Sequence, residues 1–148
     1  MNIIVSSTEM RIKPSIDATL ETECLFGESI ELLDVKSEWL FCKLATDDYH
    51  GWINKKSIGI LKPITHRVIA KRSFLLTHKD AKSNIIHDVP MGSLLSVKKF
   101  IHEWAEINLS EQHNYKTAYI PKTHIVEKNH KVKDWVSSAE KLIETPYK

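Results

Sequence analysis

The side chains best suited to chemistry in this sequence are a carboxylate and a phenol beside two expected turns. Glu28 follows Gly27, and Tyr49 adjoins Asp47 and Asp48 within the run DDYHGWI at 47–53. A carboxylate and a phenol together can hold a cationic amine through charge-assisted hydrogen bonds. A small β unit gathers its turns at one end, which would bring Glu28 and Tyr49 toward the same surface. The plainer alternative is a solvated Glu28, a Tyr49 that only covers the protein, and Trp39 and Trp52 as core.

Other chemistry finds little support. The eight histidines, at 50, 66, 78, 87, 102, 113, 124 and 130, form no His-Glu-x-x-His helix motif. Neither cysteine sits in a Cys-x-x-Cys pair, so no metal is expected. No Gly-x-Gly occurs, which removes the usual phosphate loops, and no cofactor is expected. A nucleophilic thiol needs exposure and a nearby base. Cys42 lies mid-strand between Trp39 and Leu44, and Cys24 precedes Leu25 and Phe26. Both read as buried, inert and unpaired.

Composition sets the frame for these residues. At 148 residues, 42% hydrophobic and 27% charged, the chain has room for one medium domain or two small ones. A net charge of +2 with scattered lysines gives no stripe for nucleic acid. No apolar run approaches the roughly 18 residues of a membrane span. The N-terminus does not resemble a signal peptide, so a reducing, cytoplasmic setting is expected unless a leader precedes it.

The elements that must position the site are short strands. Residues 29–35 alternate as a strand, followed by Trp39–Leu44, a polar tip at Ala45–Tyr49, and His50–Asn54. Ile58–Leu61 closes the unit after a turn of 3-10 type. Asn2–Ser6 is an expected edge strand, Met10–Pro14 a loop or edge, and Ser15–Thr22 a helical turn with Ala18 and Leu20 inward. Polar links every eight to twelve residues favour a small barrel over a βαβ unit. A second copy follows. Gly27 precedes Trp39 by twelve residues and Gly92 precedes Trp104 by twelve; Trp52 precedes Ile58 by six and Tyr119 precedes Ile125 by six. The matched order indicates duplication, with Trp39, Trp52, Trp104 and Tyr119 as the expected structural core. In the tail, Val132, Trp135, Val136, Ala139, Leu142 and Ile143 fall at helical spacing, and Pro146 would stop that helix.

The run LFGE at 25–28, Trp39 and DDYHGWI together resemble the first bacterial SH3-like (SH3b) domain of NlpC-type cysteine peptidases. These enzymes are γ-D-glutamyl-diamino-acid endopeptidases acting on cell-wall peptides. THRV at 65–68 and DVPMGS at 88–93 resemble the second such domain, and 134–147 the first helix of the papain-like catalytic domain. The resemblance implies an all-β chain of two tandem SH3-like barrels plus a short C-terminal helix. The domains would span 1–63 and 64–128, with 129–148 a linker and the catalytic domain's start. It also implies that Glu28 and Tyr49 approach the free amine of an L-Ala-γ-D-Glu stem peptide. The family's nucleophilic cysteine and histidine would lie beyond Lys148, so this chain is expected to gate or target substrate without cutting it. Its expected partners are the murein stem peptide and its own catalytic domain. The alternative is a free-standing adaptor for wall peptides or a protein partner.

Overall fold

The computed structural model describes residues 1–129. Alternation of apolar and polar residues produces fifteen short strands among them, and no helix of seven residues or more. The first half contains β1 (Asn2–Ile3), β2 (Ser7–Arg11), β3 (Leu20–Leu25), β4 (Ile30–Lys36), β5 (Trp39–Leu44), β6 (His50–Asn54) and β7 (Ile58–Gly59). The second contains β8 (His66–Val68), β9 (Arg72–Leu76), β10 (Ile85–Pro90), β11 (Leu94–Leu95), β12 (Val97–Ile101), β13 (Trp104–Asn108), β14 (Thr117–Pro121) and β15 (Ile125–Glu127).

The two halves share one topology. Each builds a five-stranded antiparallel sheet, in the order β3-β2-β6-β5-β4 and β10-β9-β14-β13-β12. A smaller sheet accompanies each, β1-β7 in the first half and β11-β8-β15 in the second. Single 3-10 turns at Lys55–Ser57 and Lys122–His124 precede β7 and β15. The turn positions agree too: Gly27 (φ 86°) and Gly92 (φ 95°) precede β4 and β11, and Ser37 and His102 take positive φ before β5 and β13.

The expected closed barrels do not form. The sheet ends β3 and β4 are not hydrogen-bonded to each other, and neither are β10 and β12. Closure needs a continuous ladder around the sheet. Here the first sheet reaches β1 only at the start of β4, through the isolated bridge Asn2–Ser29 and the Ile30 amide donating to the Met1 carbonyl at 2.9 Å, and β1 itself pairs with β7. The fold is therefore all-β with several open antiparallel sheets. The C-terminal helix of the expectation lies outside the described residues. Two local expectations also change. Residues 7–11 form an internal strand of the first sheet, and Leu20 opens β3 with half its surface exposed instead of turning inward.

One core serves the first half, around Ile3, Met10, Cys24, Cys42, Leu44 and Ile53. The second core draws on both halves. Ile4, Phe26 and Leu61 of the first half join Val68, Leu75, Leu95, Ile107 and Ile120 of the second. Backbone bonds reinforce this junction, with the Leu94 amide donating to the Phe26 carbonyl at 2.8 Å.

Candidate functional site

The Gly27 turn and the tip between β5 and β6 form one corner of the first half. Glu28 is held by its backbone: its amide donates to the Leu25 carbonyl at 3.1 Å, and its carbonyl accepts from Ile3 at 3.0 Å. The tip is tied beside it, because the Ala45 amide donates to the Ser29 carbonyl at 3.0 Å and the Leu44 amide to the Tyr49 carbonyl at 3.0 Å.

Glu28 is the unusual group here. Its Oε2 is buried and has no hydrogen-bond partner. Burial raises the carboxyl pKa, the Leu25 backbone opposes that shift, and the negative charge of Asp47 adds to it. A buried acceptor left unpaired carries the desolvation cost of the group, and an incoming ammonium would relieve it. The structure thus brings Asp47 into the field of Glu28. Tyr49 occupies the same tip and is 44% exposed, without a direct hydrogen bond to Glu28.

Trp39, Trp52, Trp104 and Tyr119, expected as structural core, are all half-buried. The residues that alternate with them, such as Cys42, Ile53, Ala105 and Ile120, fill the interior. The four aromatics cover the opposite sheet faces. Phe41 packs on Trp52 with ring centroids 5.1 Å apart, and Trp104 lines a cavity of about 280 Å³ with Phe74, Pro121 and His124.

The second half lacks the carboxylate. Ser93 follows Gly92 as Glu28 follows Gly27, and its hydroxyl is also buried and unpartnered. The Gly27–Gly92 correspondence was available from the sequence spacing, and it marks position 28 as the acidic member of the pair. What sequence reasoning missed is Asp47 as an electrostatic neighbour of Glu28, and the junction of Phe26 with His87 and His113. Phe26 lies 5.7 Å from the His87 ring and 6.1 Å from that of His113. His113 Nε2 lies 2.7 Å from the Ile4 carbonyl, and its Nδ1 accepts from the Ser110 amide at 2.9 Å. Only folding brings these groups together.

Both thiols are free and buried, as the sequence suggested. Burial, then the charges of Glu28, Cys42 and Glu23, pushes the Cys24 pKa up to about 12. Burial pushes Cys42 up to about 11 against the pull of the N-terminal amine. Such thiols are almost wholly protonated at neutral pH. Labelling of the folded chain by a disulfide reagent at pH 7 is expected to run at least about a hundredfold slower than for a free cysteine. Rapid reaction of either thiol before unfolding would contradict this burial. Among the described residues there is no group of three or more His, Cys, Asp or Glu that could hold a metal. None of their helices is long and apolar enough to cross a membrane.

Comparison with known proteins agrees with this architecture. Residues 10–58 match a family model described as the bacterial dipeptidyl-peptidase Sh3 domain. No curated protein matches the chain. Among solved structures, an NlpC/P60 family protein from Bacillus cereus ATCC 10987 superposes with a TM-score of 0.66 at 16% identity, over 85% of this chain and 55% of that one. NlpC2 and NlpC1 from Trichomonas vaginalis, both at 16% identity, give TM-scores of 0.36 and 0.35. They cover 86% and 88% of this chain against 47% and 46% of theirs. The chain spans about half the length of the solved structures it matches. It carries an SH3b-like domain over residues 10–58, and its fold is shared with that NlpC/P60 family protein.

Proposed function

We propose that this chain is the substrate-gating region of a bacterial peptidoglycan-peptide endopeptidase and does not itself hydrolyse its ligand. In this reading the Glu28 corner receives the free amine of an L-Ala-γ-D-Glu stem peptide, and Tyr49 offers a hydroxyl from the neighbouring tip. The observation that carries it is the buried, unpartnered Oε2 of Glu28 beside Asp47. Negative charge with an unfilled acceptor favours an ammonium ligand, and an acylated amine, which keeps one N–H but loses the positive charge and adds bulk, is the poorer partner. Two buried thiols held protonated support a non-catalytic role for these residues, and free thiols suit a cytoplasmic site of murein-fragment recycling.

Chemical-shift mapping with L-Ala-γ-D-Glu-diaminopimelate, a method that reads millimolar affinities, tests the reading. Shifts are expected at Glu28, Asp47 and Tyr49, with none from the N-acetylated peptide. Glu28→Gln is expected to weaken binding by about tenfold or more, the scale of a charge-assisted hydrogen bond. Because the raised pKa of Glu28 means that its charge disfavours folding, the same variant should be at least as stable as the parent at pH 7. Loss of binding would then not reflect unfolding. Equal shifts from free and acetylated peptides would refute amine recognition.

A further inference from the structure

The two five-stranded sheets differ in how they guard the same edge. In the second half the edge strand β12 carries Lys98 and Lys99, side chains that discourage pairing with another strand. In the first half the equivalent strand β4 reads Ile-Glu-Leu-Leu-Asp-Val-Lys. Leu32, Leu33 and Val35 are 38%, 45% and 56% exposed. Beyond Ser29 and Ile30, which meet β1 and Met1, the free side of β4 has no strand beside it among the described residues.

The register of β4 is self-complementary. A bulge at Leu33 separates Leu32 from Asp34. Glu31, Asp34 and Lys36 pair with Lys43, Phe41 and Trp39, on one face of the sheet. Leu32 and Val35 pair with Cys42 and Leu40, on the other. An antiparallel copy related by a two-fold axis at the bulge therefore sets Glu31 opposite Lys36 of the second copy. It also sets Leu32 opposite Val35 of the second copy, each pair on a common face. Neither Glu31 nor Lys36 has an ion-pair partner among the described residues. The Val35 amide is bonded by Asp34 Oδ1 of its own strand at 2.8 Å, which marks it as an edge donor open to exchange.

We propose that β4 is a homodimerisation edge, through which two copies of this chain join their first sheets into one continuous antiparallel sheet. The test is sedimentation equilibrium of the chain over a concentration series. A monomer–dimer equilibrium is expected. Glu31→Lys and Lys36→Glu should each weaken it by about tenfold or more, since each turns two symmetry-related cross-strand attractions into repulsions. The double exchange Glu31→Lys/Lys36→Glu restores opposite charges and should recover the parent constant to within a few-fold. Val35→Lys, which gives β4 a lysine like those of β12, should weaken dimerisation while leaving the melting temperature unchanged at dilutions where the parent is monomeric. A chain monomeric up to millimolar concentration overturns the proposal. So does a dimer indifferent to these variants, or a double exchange that fails to recover.

Discussion

Gly27→Ala is expected to destabilise the chain by about 4 kcal/mol or more, while the equivalent Gly92→Ala costs about 1–2 kcal/mol. Both glycines adopt positive φ, 86° and 95°, where an L side chain is strained. Their surroundings separate them. A Cβ on Gly27 would overlap the Leu94 carbonyl oxygen, a backbone atom fixed by the second half. A Cβ on Gly92 would meet its nearest neighbour, Leu25 Cδ1, at an ordinary 3.5 Å. Relief at Gly27 requires the two halves to move apart, which breaks the bond from the Leu94 amide to the Phe26 carbonyl and withdraws Phe26 from the shared core. At a few degrees per kcal/mol for a chain of this size, Gly27→Ala should lower the melting temperature by about 10 °C or more. Urea melts of the two variants check this. Equal losses would mean that the Gly27–Leu94 approach does not hold the halves together.

That asymmetry shows where sequence reasoning stops. The spacing from glycine to tryptophan marks both glycines as turn residues, because a positive φ is a local requirement with a local signature. Nothing in that spacing shows that one turn presses on the other half's backbone. The same limit governs the strands. Trp39–Leu44 and His50–Asn54 alternate clearly and form as expected, whereas β3 went unrecognised because Leu20, Glu21 and Glu23 are exposed along an edge that leaves few apolar cues. Barrel closure could not be read because it depends on which distant strands exchange hydrogen bonds, and β1 forms only the isolated bridge Asn2–Ser29 just ahead of β4. At the candidate site, the acidic and phenolic residue types were visible in the sequence. The unpaired oxygen of Glu28 became visible only when burial could be assigned atom by atom.

Acidification should loosen the junction between the halves. Burial, then the charge of His113, lowers the His87 pKa, against an opposing pull from Asp88, which is itself paired with Arg72 at 2.7 Å. His66 is lowered mainly by burial with Glu127 opposing, and His124 by burial. A depressed histidine pKa means that the unfolded chain takes up its proton first. The associated stability is complete above the ordinary value near 6.5 and is lost as pH falls through the lowered folded values. The junction geometry adds to the effect. The His87 ring stands 5.1 Å from the His113 ring and 5.7 Å from Phe26, a member of the shared core. Glu28 acts in the opposite sense, since protonation relieves its buried charge, so the histidine signal is cleanest above the carboxylate range. Between pH 7 and 5 a loss of about 1–2 kcal/mol is expected after allowance for solvent screening of these half-exposed rings. His87→Gln should flatten part of that slope. A stability profile level from pH 7 to 5, or one unchanged by His87→Gln, would show that the junction imidazole does not couple protonation to docking of the two halves.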